Sequence, residues 1–401
     1  MLYIHQTTCI SPQQTFSGTG AGMRDDSTQE DPQRKDPDAG LQRATNPGTS
    51  PGIDLVHEHN SVNNTLKVIE PSHKDIPANT LRRMTKSVRL GVSAALPLIR
   101  RAGVGPTASD PAGIDGIIIG TANTGMEESI LFMKQIIDYE EGPLAPGAFV
   151  QSTPNTVASQ ISFLSRNKAY NITHVQSGLA FENAVIDAGM LLEENPLHNY
   201  LLGGVDEIGT HNYNIDYLAG WYKKEPLSSG QLYEVDSPGS LAGEGVAMFL
   251  VNNQPANALA KLRALTTLHS EDRSLVAAHL QHFLDTQLPN GEKIDLLLTG
   301  ENGDNHLLQY YLSCEASIAA GGETSPGNGL TIARFKHMCG EYPTASAFAL
   351  WLACQVLESQ TLPPHMIKKQ AAIANPVYKN LLIYNTYKGS QHSFMLVSKI
   401  S

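Results

Sequence analysis

Cysteine is scarce in this chain: four in 401 residues, Cys9, Cys314, Cys339 and Cys354, with no C-x-x-C pair and no Cys/His spacing that suits a metal. That excludes a disulfide framework and a zinc ribbon, and it makes buried free thiols in a reducing compartment the expectation. Positive charge is also thin. With 28 Lys and Arg against 39 Asp and Glu, the net charge is -11, which argues against nucleic acid and membrane as partners. Basic residues gather only at Lys74, Arg82, Arg83, Lys86, Arg89, Arg100 and Arg101; a solvated helix face is the simpler reading, an acidic docking partner the other. No apolar run reaches transmembrane length, and M-L-Y-I-H-Q-T-T-C-I lacks the basic segment and apolar core of a signal peptide. A cytoplasmic protein is expected. What remains, 41% hydrophobic and 17% charged, is enough chain for a large core and two domain-sized halves.

Also missing is a nucleophile where the pattern presents one. From Tyr170 to Leu192 the chain reads as a short strand (Tyr170 to Val175), a Ser-Gly turn, and a helix. Leu179, Ala180, Ala184, Ala188, Leu191 and Leu192 recur on it at near-helical spacing. Gly178 relieves crowding where strand turns into helix. Such a corner exposes its side chains at the positive end of the helix dipole, the geometry in which enzymes hold out a Cys or Ser. This corner carries Val175, Gln176 and Ser177.

Taken in order, residues 1–15 give a first strand and turn. Residues 18–60, rich in Gly, Asp, Pro and Gln, read as a mobile insertion. A strand over Leu66 to Glu70 and one long amphipathic helix from Ala78 follow. G-I-D-G-I-I-I-G-T-A (Gly113 to Ala122) reads as a strand buried on both faces, followed by a helix, a Pro/Gly loop and a second helix from Pro154. After the corner, Leu201 to Glu207 and Gly243 to Val251 read as strands. K-I-D-L-L-L-T-G (Lys293 to Gly300) then echoes the buried strand, and P-T-A-S-A-F-A-L-W-L-A-C (Pro343 to Cys354) echoes the second helix, in the same order. A duplicated βαβ-type unit is expected, with halves 1–252 and 253–401 and a closing hairpin around Lys388-Gly389-Ser390.

The order of these pieces resembles the β-ketoacyl-acyl-carrier-protein synthases of the thiolase fold. M-E-E-S (Met126 to Ser129) is similar to the family's tunnel-lining segment, and P-x-x-F-V-x-S-T-x-N (Pro146 to Asn155) to the loop before its nucleophile helix. L-L-G-G-V-D-E resembles the G-G-x-[DE] strand, and L-A-G-E-G-V-A the G-E-G-A segment. The resemblance implies an α/β protein with the five-layer αβαβα thiolase-like fold, and the likeness fails at the reactive positions. The family's T-A-C-x-S-G falls on Thr173 to Gly178, so Val175 stands for the cysteine; H-G-T-G-T falls on Gly300 to Asp304, so Gly300 stands for the first histidine; K-x-x-x-G-H falls on Lys336 to Glu341, so Glu341 stands for the second. In the family the cysteine carries the acyl thioester and the imidazoles assist decarboxylation and hold the enolate.

The resemblance therefore implies a chain-length factor: a non-catalytic subunit that pairs with a ketosynthase paralogue bearing an intact Cys-His-His set, works with acyl carrier protein, and shapes the acyl tunnel. No cofactor or metal is implied. Gln176 adjoins the position where known factors carry Gln. The opening residues also resemble ketosynthase-like subunits of Bacteroidetes clusters making flexirubin or aryl-polyene pigments. Met126, Phe132 and Met133 are expected near the tunnel, and Asn155, Tyr170, Ile172 and His174 at an interface where the corner strand pairs with its counterpart. Alternatives are a divergent 3-oxoacyl synthase or malonyl decarboxylase using Gln176 or Ser177, and a homodimeric scaffold. Cys339 beside His337 reads as a structural thiol, and Glu301, Asp304 and Glu341 as solvated or hydrogen-bonded carboxylates rather than metal ligands.

Overall fold

The computed structural model describes residues 1–13, 55, 64–73, 76–101, 113–140, 142, 144, 146–321, 330–372 and 376–400. The insertion expected at 18–60 lies outside the described residues, apart from Leu55.

β1 (Leu2–Ile10) opens the chain and β2 (Thr65–Leu66) follows. The strand expected to reach Glu70 stops at Leu66: Val68 N–H goes to the buried Glu244 carboxylate and Ile69 N–H to Ser11 O, so no ladder continues. The single helix expected from Ala78 is two, α1 (Ala78–Leu81) and α2 (Lys86–Arg101). Its break has an electrostatic cause. Glu207 takes the Ser87 N–H at 3.1 Å and Glu244 takes the Lys86 ammonium at 2.5 Å, so α2 starts afresh on two carboxylates.

β3 (Gly116–Gly120) is wholly buried, and α3 (Met126–Asp138) follows. Part of the expected Pro/Gly loop is instead a helix, α4 (Pro146–Gln151); proline suits a first helical turn because the N–H it lacks would have no partner there. Then come α5 (Thr156–Ser165), β4 (Tyr170–His174), α6 (Ala180–Glu194), β5 (Tyr200–Asp206), α7 (Thr210–Leu218), β6 (Ala242–Gly243), β7 (Gly245–Asn252) and β8 (Ala260–His269). The remainder is α8 (Arg273–Gln287), β9 (Leu296–Thr299), α9 (Leu308–Gly321), β10 (Thr331–Arg334), α10 (Lys336–Cys339), α11 (Ala345–Ser359), β11 (Ile367–Lys369), β12 (Asn380–Tyr387) and β13 (Gln391–Ser398).

Eleven strands join in the order β11-β10-β9-β12-β13-β8-β1-β7-β5-β3-β4. Strands from residues 2–252 fill one run and strands from 260–398 the other, meeting where β1 pairs antiparallel with β8 through Leu2 and Leu262. β3 lies parallel between β4 and β5, and β9 parallel between β10 and β12. α6 and α11 pack on each other and on strands of both runs, forming the central layer. The other face of the first run is covered by α2 and α5, with Val88, Val92, Val157 and Ile161 buried there; that of the second run is covered by α8 and α9, through Leu280, Phe283 and Tyr311. The result is helix, sheet, helix, sheet, helix. All thirteen described side chains of α11 from Ala345 to Leu357 are buried, as a helix enclosed on all sides requires.

Candidate functional site

The corner forms where β4 ends. Thr121 N–H bonds His174 O at 3.0 Å, holding β3 beside it, and a single 3-10 turn over Ser177–Leu179 leads into α6. Gly178 is required by contact: a Cβ there would lie 2.2 Å from Tyr387 Cβ, and its N–H donates to Gln391 Oε1 at 2.8 Å. Val175 is 52% exposed. Gln176 turns its Oε1 back to accept from Asn183 Nδ2 at 2.9 Å. Ser177 carries the strain, at φ +51°, a left-handed conformation uncommon for a residue with a side chain.

A pocket of about 230 Å³ opens at this point. Its lining combines Ser177, Asn123, Asn212, Asp216 and Lys388 with Met126, Ile215, Pro343 and Tyr387. Beneath it lies the buried Asp206, which no candidate set from the sequence included, although it stands in the G-G-V-D-E strand. Its carboxylate accepts the N–H groups of Ala122 and Asn123 at 2.9 and 2.8 Å, and the hydroxyl of Thr344 at 2.8 Å. Burial pushes its pKa up, opposed by those donors. One side chain thus ties the end of β3 to the start of α11. A second tie crosses at the surface: Lys388, on the β12–β13 turn, reaches Asp216 of α7 at 2.5 Å over the Trp221 and Tyr387 rings.

The second-half positions are closed. Gly300 is held by its N–H to Tyr384 O and by Tyr311 hydroxyl on its carbonyl, both at 2.7 Å. Glu341 accepts the fully buried Lys336 ammonium at 2.7 Å and Asn302 Nδ2 at 2.9 Å, and its N–H goes to Leu241 O. Gly340, at φ +74°, sits against Gly243, where a Cβ would come within 2.5 Å of backbone. His337 and His365 face each other at 2.9 Å, His365 in turn reaching Leu55 O. Cys339 is buried, and burial pushes its thiol well up, away from the reactive thiolate. Glu301 is paired with Arg334 and Lys368. Among the described residues no group of three or more His, Cys, Asp and Glu is arranged to hold a metal ion, and no helix is long and apolar enough to cross a membrane.

The expected tunnel residues diverge. Met126 lines the pocket, Phe132 packs on Phe149 with ring centres 5.3 Å apart, and Met133 is 61% exposed. Of those expected at an interface, Tyr170, Ile172 and His174 alternate along β4 and Asn155 stands at the start of α5. Thr173 Oγ1 donates to Asn155 Oδ1 at 2.9 Å, Tyr170 hydroxyl to Asp187 at 3.1 Å, His174 Nε2 lies 3.0 Å from the same carboxylate, and Ile172 is half-buried against the core.

No family model matches the chain, and no curated protein does. Solved structures do. It is similar to "The ishigamide ketosynthase/chain length factor" at a TM-score of 0.67 and 12% identity, over 100% of this chain and 99% of that one. It is similar to a β-ketoacyl synthase from Burkholderia phymatum at 0.64 and 15%, over 85% and 90%. A third is a type II PKS acyl-carrier protein in complex with its ketosynthase, at 0.62 and 13%, over 84% and 90%. The fold is that of the thiolase-like ketosynthases, the five-layer αβαβα arrangement expected from the resemblance.

Proposed function

We propose that this chain is a non-catalytic ketosynthase-like subunit that pairs with an active 3-oxoacyl synthase and shapes the space available to the growing acyl chain. The observation that carries the reading is the state of the three positions where the family motifs place Cys, His and His. Val175 offers no nucleophilic atom, Gly300 no side chain, and Glu341 is already bound to Lys336 and Asn302. An ionised Glu341 would also repel a malonyl carboxylate and a developing enolate. The two halves 1–252 and 253–401 then keep the shell of a condensing enzyme without its chemistry. The partner is a paralogue with an intact Cys-His-His set, the shared partner of both is an acyl carrier protein, and the product is of polyketide, flexirubin or aryl-polyene type. Met126 at the pocket, and Phe132 and Met133 on the same helix, are the residues proposed to limit chain length.

Incubation of the purified chain with radiolabelled acyl and malonyl carrier protein tests this: no covalent label and no carbon dioxide release are expected, and coexpression with the paralogue gives a 1:1 complex. Label on the lone chain overturns it. One observation favours a second reading, an enzyme in its own right: Ser177 combines a strained corner with a place in the pocket wall beside Lys388 and Asn123. Label lost in Ser177→Ala would establish that reading instead.

A further inference from the structure

Two bonds seat the start of α6 on β13, and the pocket opens beside them. Gly178 N–H reaches Gln391 Oε1 at 2.8 Å, and the Ser393 hydroxyl donates to Glu182 Oε1 at 2.7 Å. Gln391 and Ser393 stand two apart on the strand, so both face the helix. The residues just before this contact on each element line the pocket: Ser177 at the corner, Tyr387 and Lys388 at the β12–β13 turn.

The second of these bonds leaves its acceptor half satisfied. Glu182 is wholly buried, yet among the described residues its Oε2 has no hydrogen-bond partner. Nor has Oγ of Ser346 on α11, which acts on the same carboxyl, nor Oδ1 of Asn385, which stands opposite Ser393 in the ladder. An ionised carboxylate is costly in such a layer; a neutral carboxyl is not, because its proton supplies a donor toward acceptors of this kind. Burial accordingly raises the Glu182 pKa to about 7, with the Ser393 hydroxyl opposing the rise. The charged groups nearby are otherwise engaged. Lys336 of α10 acts on Glu182, but its ammonium is bonded to Glu341 at 2.7 Å. Asp206, on β5 against the same helix, has donors of its own. His392, next to Ser393, stacks on Tyr384, and burial holds its pKa down at about 4.

We propose that the proton on Glu182 is a switch for the pocket. While it is bound, the contact between α6 and β13 stays dry and shut, and the corner and the turn are held together. Once it passes to solvent, the carboxylate draws water in and the contact opens, freeing Ser177 on one element and Tyr387 and Lys388 on the other. The device goes beyond the proposed function and holds whichever molecule enters the pocket. The closed form keeps the proton up to about pH 7, whereas a hydrated carboxyl gives it up near 4.5. Opening is therefore favoured progressively as pH rises from about 4.5, and levels off above about 7.

Hydrogen exchange of the full chain, corrected for the intrinsic pH dependence of amide exchange, tests the proposal. Amides of residues 177–182 and 387–393 are expected to exchange together, and faster than those of β7, which is paired on both sides. Their opening is expected to rise about tenfold between about pH 6 and about pH 8. Glu182→Gln keeps the shape and loses the titration, so its opening is expected to be flat with pH. Ser393→Ala removes the donor that opposes the rise in pKa, so opening is expected to climb further and to keep climbing past about pH 8. Circular dichroism checks folding; should Glu182→Gln fail to fold, Ser393→Ala carries the decision. Three results overturn the proposal: exchange at the two segments no faster than in β7, a profile unmoved by Ser393→Ala, or a pH response that survives Glu182→Gln. The last would assign the response to another group, such as His174 beside Asp187. None of these readouts involves acyl transfer, so this proposal and the proposed function fail independently.

Discussion

The corner after β4 and the segments around Gly300 and Glu341 are built in opposite ways. At the corner, Val175, Gln176 and Ser177 are exposed, and only Gln176 is engaged through its side chain. In the second half, Gly300 and Glu341 are enclosed; the Gly300 peptide groups are bonded to Tyr384 and Tyr311, and the Glu341 carboxylate to Lys336 and Asn302. The difference teaches where the chain completes itself. A buried site without a ligand must satisfy its own polar groups, because each one left unpaired costs about 1–3 kcal/mol. A corner facing outward has no such constraint, since water or another molecule serves it.

Four measurements break or sharpen that contrast. Glu341→Ala strands the buried Lys336 ammonium and is expected to cost about 3–5 kcal/mol in urea unfolding; a loss below about 1 kcal/mol would mean the second-half site is not closed. Glu182, buried on α6 just past the corner, is next. Burial raises its pKa to about 7, with Ser393 hydroxyl opposing the rise. The folded state therefore keeps a proton the unfolded chain gives up near 4.5, so the stability this group contributes falls as pH rises through about 7. Glu182→Gln is expected to gain up to about 3 kcal/mol at about pH 8 and nothing at about pH 4; a pH-independent gain would assign the effect to packing. Gly178→Ala forces Tyr387 away and is expected to cost about 1–3 kcal/mol, with thermal unfolding as the readout. Smallest is Val175→Cys, within about 0.5 kcal/mol of wild type because the position is exposed. It is expected to gain no acylation by a labelled carrier thioester, and turnover by this variant would show that the second half still assists catalysis.

Much of the fold was legible because its signals are local. The apolar run Gly116–Gly120, the corner from Tyr170, the enclosed helix Ala345–Ser359 and the closing hairpin follow from periodicity and glycine placement. The errors were where distant carboxylates intervened: Glu207 and Glu244 split the helix expected from Ala78 and ended the strand after Leu66. Of the candidate site, the corner was found. Asp206 and Lys388 were missed, since nothing in their own neighbourhoods announces that one anchors three chain segments and the other closes on Asp216 from 172 residues away.

By itself the sequence determined the alternation of strands and helices and the corner, since each depends on residue type and near spacing. Only the tertiary structure decided that Gly300 and Glu341 are enclosed while Val175 stays exposed. Those outcomes depend on which far segments come to lie against each other, and burial, ion pairing and exposure are properties of that contact rather than of the chain read end to end.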